Sequence, residues 1–245
     1  MTIRLDFCTR EAASFATTAF HYSRSMPAGR LVCIGAWEAD QFTGCVIFSR
    51  GAASNIGTPF GLTQSQVAEL TRIALRRGHR TPTSRILAIA VRLLKKQSPG
   101  LKLIVSYADP RHGHDGRGVY AAANWIYLGQ TQRERLIVLH GKVTHARTVS
   151  SRYGTRSLAW LRANVDSSAE HLIELPKHKY ALPLDAGMRD RLRALAQPYP
   201  KREQSAESGT PQNRRGIAPF SPRGAQRRGR FDTTCSLHPD QVTHA

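Results

Sequence analysis

The chain has 245 residues and a formal net charge of +19, with an isoelectric point near 10.8. This length supports one domain of roughly 150–200 residues plus an appendage, and no apolar run of about 18 residues is present to span a membrane. A cationic excess of this size points to a polyanionic partner, with nucleic acid first and an anionic membrane surface second.

The opening Met1-Thr2-Ile3-Arg4-Leu5-Asp6 lacks the apolar block of a signal peptide. Cys8, Cys33, Cys45 and Cys235 include no CxxC pair, so neither a zinc knuckle nor a disulfide framework is indicated, and a reducing cytoplasm fits. A helix is expected over Thr9–Phe20, capped by Asp6 or Thr9. Leu31–Glu38 and Cys45–Arg50 read as an antiparallel hairpin joined by a longer loop over Ala39–Gly44. Gly51 to Gly61 is a glycine-rich polar loop, a lid or a connection. Glu69–Leu75 alternates as a strand and runs into the basic turn Arg76-Arg77-Gly78-His79-Arg80-Thr81-Pro82. Thr83–Gln97 has helical spacing, with Ile86, Leu87, Ile89, Ala90, Leu93 and Leu94 on one face, Thr81 as cap and Pro82 in the first turn. Leu101–Ala108 is a nearly continuous apolar run, which suits a strand covered on both faces. A short helix over Gly118–Asn124 precedes strands at Trp125–Leu128 and Arg133–His140. Further on, Ser157–Val165 and Asp185–Ala196 have helical character. From Gln197 the composition turns to Pro, Gly, Ser, Gln and Arg, a tail that cannot bury enough surface to offset its ordering entropy. The expected layout is a domain over 1–196, extended from about residue 141, and a disordered basic tail over 197–245.

Five groups of residues could carry chemistry. Arg76, Arg77, Gly78, His79, Arg80 and Thr81 sit between a strand and a helix N-terminus, where free amides and the helix dipole suit a pyrophosphate; the alternative is a solvated basic turn. Asp109 leaves the apolar strand beside Tyr107, placed to accept a proton or ligate a metal, or else to open an Asp-Pro turn. His21 and Tyr22 could give nitrogen and phenolate to iron with Asp109 as third ligand, or simply close a helix end. His112-Gly113-His114-Asp115-Gly116 could bind a metal, but two histidines two apart on a loop lack a fixed geometry, and a mobile polar loop that touches substrate is the favoured reading. Tyr120, Trp125 and Tyr127 are flat aromatics that could stack on an unstacked base or pack in the core. Arg72 is costly in mid-strand unless paired. Strand parity puts Glu69 on the opposite face, so Arg72 is expected to meet Asp109, a phosphate or a substrate carboxyl.

The element order over residues 31–140 resembles the GNAT acyltransferase fold, an α/β architecture with a mixed central sheet flanked by helices. More specifically, the chain resembles the Mom proteins of Mu-type bacteriophages. The resemblance rests on His21-Tyr22-Ser23-Arg24, Phe48-Ser49-Arg50-Gly51-Ala52, Asn55-Ile56-Gly57, Glu69 to Leu75, Ser106-Tyr107-Ala108-Asp109 and Tyr120 to Trp125. It covers about residues 18–183. It implies conversion of adenine N6 in double-stranded phage DNA to a carbamoylmethyl derivative that masks restriction sites. The catalytic set would be Arg72 and Asp109 with Tyr107 and Tyr120, the iron ligands His21, Tyr22 and Asp109, and the donor acetyl-coenzyme A or another acyl or glycyl compound. The setting implied is the cytoplasm of a host carrying a phage or prophage, with a dimer as the oligomer considered. Within the basic turn, only Gly78 keeps register with the usual GNAT loop. Two other readings are an acyltransferase acting on a small amine, protein or RNA, and a non-catalytic nucleic-acid-binding protein. An adenine methyltransferase is disfavoured by the lack of its glycine-rich cofactor motif and of an Asp/Asn-Pro-Pro-aromatic motif.

Overall fold

In the computed structural model, residues 2–51, 55–110 and 118–200 are described. The expectations placed on Ala52, on the 112–116 loop and on the tail beyond residue 200 lie outside them. The chain opens with β1 (Ile3–Phe7), a strand the sequence pattern did not reveal, and α1 (Arg10–Phe20). Thr9 caps α1 by accepting from Ala12 N, while the Asp6 carboxylate takes Phe7 N instead. β2 (Leu31–Glu38) and β3 (Gln41–Ser49) form the expected hairpin, but the turn is tight. Ala39 and Asp40 both have positive φ, at 48° and 61°, the conformation in which a two-residue turn matches strand twist.

β4 (Val67–Leu75), α2 (Thr83–Gln97) and β5 (Leu103–Ala108) follow, then α3 (Gly118–Ala122), β6 (Ile126–Gln130) and β7 (Glu134–Leu139). The stretch the sequence left vague contains β8 (Lys142–His145), α4 (Ala146–Tyr153), α5 (Leu158–Asn164), β9 (Glu170–Glu174), β10 (His178–Pro183) and α6 (Ala186–Ala194). The main sheet has the order β1-β2-β3-β4-β5-β10-β6, with β4 and β5 parallel and β10 antiparallel to both neighbours. Part of the chain after residue 141 therefore returns to the main sheet. β8, β7 and β9 make a separate three-stranded sheet, packed with α4 and α5 around Ile137, Val149 and Leu161.

Helices cover both faces of the main sheet. α1 buries Ala13 and Ala16 against Cys33, Cys45 and Ile47, and α2 buries Ile86, Leu87 and Leu94 against Ile34, Phe48 and Ile104. Met188 and Leu192 of α6 cover Leu103 and Val105, which explains the unbroken apolar run of β5. The expected mixed sheet flanked by helices is thus the fold observed. Residues 197–200, assigned to the tail from composition, lie against the core: Gln197 N donates to Tyr127 O at 2.9 Å and the Tyr199 hydroxyl donates to Trp125 O.

Two irregularities prepare the site. Ile47 pairs with Arg72 but Phe48 pairs with Leu70, so Thr71 is an extra residue, a bulge that re-aims its neighbours. The β4–β5 ladder holds only the pairs from Val67↔Leu103 to Leu70↔Ser106. Beyond them β4 and β5 pair only with β3 and β10 and no longer with each other, and the sheet opens between them.

Candidate active site

A cavity of about 380 Å³ occupies that opening, lined by Thr71, Ile73, His79, Ser106, Val119 and Tyr120 among others. A larger cleft of about 840 Å³ lies beside it, bordered by Glu69, Asp109, His145, Glu174 and Lys179. Tyr22, Leu70, Thr71, Arg72 and Tyr107 line both.

Where the ladder ends, Ser106 Oγ donates to Leu70 O at 3.1 Å and stands 2.9 Å from the Tyr120 hydroxyl. This short polar chain runs from main chain to cavity wall. Burial raises the Tyr120 pKa against the lowering effect of Ser106, so the phenol keeps its proton. Tyr107 is raised by burial and by Glu69. Tyr120 stacks on Tyr180 at 4.3 Å and meets Trp125 edge-on at 5.4 Å. Trp125 and Tyr127 are buried at 1% and 6% exposure. These aromatics pack internally, whereas Tyr22, at the cleft, is 46% exposed.

Arg72 corrects the parity expectation. The Thr71 bulge adds one residue, so Glu69 and Arg72 border the same cleft. Burial lowers the Arg72 pKa, opposed by the neighbouring Tyr22 and Glu69. Its guanidinium donates to Thr71 O at 2.7 Å and Ser25 O at 3.4 Å. Asp109, 5% exposed, borders the cleft with Arg72, so the two residues singled out in sequence face one compartment.

His21 and Tyr22 stand ring to ring at 4.2 Å. Ser23 Oγ lies 2.9 Å from His21 Nδ1. Ser23 N donates to the same nitrogen at 3.1 Å, so Nδ1 is the acceptor and the neutral ring carries its proton on Nε2. The donors His21, Tyr22 and Asp109 suit iron by type. Among the described residues, however, no group of three His, Cys, Asp or Glu is gathered to hold a metal.

The basic turn departs from expectation. Arg76 N donates to Thr43 O at 2.9 Å, Gly78 takes φ +79°, and Arg77 and Arg80 are exposed. α2 is capped by Pro82, without a side-chain bond. Thr81 instead serves the Glu38 carboxylate, which accepts from Thr81 N at 2.6 Å and Arg80 N at 3.0 Å. His79 Nδ1 donates to Thr81 O at 2.8 Å, so Nε2 is the acceptor nitrogen, 3.4 Å from the Thr83 hydroxyl at the inner cavity. Sequence spacing gave no sign of Glu38, because the contact joins residues about forty positions apart.

Cys8, Cys33 and Cys45 are free thiols beneath α1. Burial, then Cys33, pushes Cys8 up to about 12, and burial raises Cys33 and Cys45 as well. Thiols so protonated make poor nucleophiles.

A family model described as the Mom protein family matches residues 2–201. The chain is 27% identical over 189 residues to the methylcarbamoylase Mom of Escherichia phage Mu, covering 74% of this chain and 76% of that protein. Among solved structures, a Bacillus subtilis acetyltransferase in complex with CoA has a TM-score of 0.44 at 12% identity, over 75% of this chain and 100% of that one. An aminoglycoside acetyltransferase in complex with coenzyme A and kanamycin has a TM-score of 0.45 at 11% identity, over 78% and 99%.

Proposed function

The chain belongs to the Mom protein family, and from that premise we propose that it is a DNA-modifying transferase that converts adenine N6 into its carbamoylmethyl derivative, protecting DNA from host restriction. The observation that carries this reading is the meeting of Arg72 and Asp109 on one cleft beside the opened sheet. Adenine N6 lies within the paired stack, so the base must be extruded to react. The exposed ring of Tyr22 offers it a stacking face. The N6 lone pair is delocalised into the ring, which makes proton removal valuable. Asp109 takes the N6 proton as the new N–C bond forms and the bond from that carbon to its leaving group breaks. The buried, protonated Tyr120, linked to Ser106, is placed in the inner cavity wall to return a proton to the departing group. Arg72 supplies positive charge where negative charge develops. The strong positive charge provides sequence-independent affinity for the phosphate backbone.

Nucleoside mass analysis of DNA from cells expressing the chain tests the proposal. An adenosine heavier by one carbamoylmethyl group is the expected product, and Asp109→Asn lowers its yield by about 10²-fold or more without loss of folded protein. Unmodified adenosine in cells that contain folded wild-type protein overturns the reading.

A further inference from the structure

The turn from Arg76 to Thr81 stands where the fold resemblance implies the pyrophosphate of a coenzyme A donor, yet the amides of Arg80 and Thr81 are already engaged by a carboxylate. Glu38, the last residue of β2, is 7% exposed and aims its carboxylate at this turn. Oε2 accepts from Arg80 N at 3.0 Å and Oε1 from Thr81 N at 2.6 Å, and the Thr81 side chain is a further donor. Two carboxylate oxygens on successive amides before a helix N-terminus reproduce the contacts that a phosphate makes in such a turn. A ligand phosphate arriving here meets a fixed negative charge and finds those two amides taken.

We propose that Glu38 is a built-in occupant of the anion cradle, and that the donor is therefore a compact molecule without pyrophosphate, held in the inner cavity alone. That cavity, about 380 Å³, is at the small end of ligand pockets. Its wall mixes apolar Ile73 and Val119 with the polar Thr71, Thr83, Ser106 and His79 and the cationic Arg72, a lining matched to a carboxamide or acyl group of a few atoms whose carbonyl oxygen can accept from the guanidinium. The carboxylate also replaces, from within the chain, the electrostatic complement that α2 would otherwise draw from a ligand. This inference concerns the donor and holds whichever acceptor is used.

Calorimetric titration of the full chain with coenzyme A and with inorganic pyrophosphate tests it. Salt of about 1 M shortens the screening length to roughly 3 Å, which suppresses diffuse binding to the basic surface. The expected result is no saturable one-to-one binding of either probe to the wild-type chain. In Glu38→Ala the amides are released, and pyrophosphate binding appears, at least about tenfold tighter than to wild type. If Glu38→Ala fails to fold in a thermal melt, Glu38→Gln removes the charge and moves binding in the same direction. Stoichiometric coenzyme A binding to wild type that pyrophosphate displaces overturns the proposal. So does a folded Glu38 variant that gains no pyrophosphate affinity. Neither result alters the nucleoside analysis, so the donor and acceptor readings fail separately.

Discussion

Glu38 gives up its proton more readily in the folded chain than in the unfolded one, because the Thr81 hydroxyl and the amides of Arg80 and Thr81 all donate to it, and its carboxyl titrates at about 2. An unfolded glutamate titrates near about 4.3. Between these values the unfolded state holds more protons, so the stabilisation is complete above about pH 4.3 and drains as pH falls toward about 2. Glu38→Gln should flatten that part of the pH profile in thermal melts. At neutral pH it should cost about 1–3 kcal/mol, or roughly 2–4 °C per kcal/mol for a chain of this size. An unchanged acid limb in the variant would remove Glu38 from the account of this turn. Asp109 and Arg72 were legible as singular residues in sequence, since each broke a local rule: an acid directly after an apolar strand, a cation inside one. Glu38 broke none. An acid at a strand end before a turn is commonplace, and its partners arrive only when β2 is laid beside β3 and β4.

Among the elements, the long regular ones could be read from sequence and the short or irregular ones could not. Thr83–Gln97 coincides with α2, because fifteen residues of amphipathic spacing are unambiguous. β8, β9 and β10 are four to six residues each and partly polar, too short for alternation to stand out. The Thr71 bulge was invisible because strand parity assumes an unbroken pleat, and one extra residue reverses the inference for Arg72. Gly44 marks another irregular point. It takes φ +138°, and a Cβ there would sit 2.0 Å from Ala74 O, on the strand that enters the basic turn. Gly44→Ala should destabilise the chain by at least about 2 kcal/mol, measured by denaturant titration, because neither backbone can yield without breaking the β3–β4 ladder. A neutral substitution would mean that the ladder is softer than its register suggests.

For the whole molecule, composition carried the electrostatic expectation without any help from fold. A net charge of +19 should make duplex binding strongly salt dependent, with log K falling against log salt at a slope near −0.9 per phosphate contacted. Fluorescence anisotropy on an arbitrary duplex should lose roughly 10³-fold in affinity between about 50 and 200 mM salt if some six phosphates are engaged. A flat response would leave the charge without its assigned role. The three-stranded sheet of β8, β7 and β9 beside α4 and α5 has its own small core, and the larger cleft reaches it through His145 and Glu174. A change in that sheet can therefore alter the acceptor side while leaving the inner cavity as it is.

Ending the β4–β5 ladder at Leu70 and Ser106 has a further consequence. An edge strand at a protein's rim recruits other chains. Here the same raw margin is turned inward, so its backbone groups are shielded from any visitor too bulky to slip between the two halves. Size exclusion comes from the architecture itself.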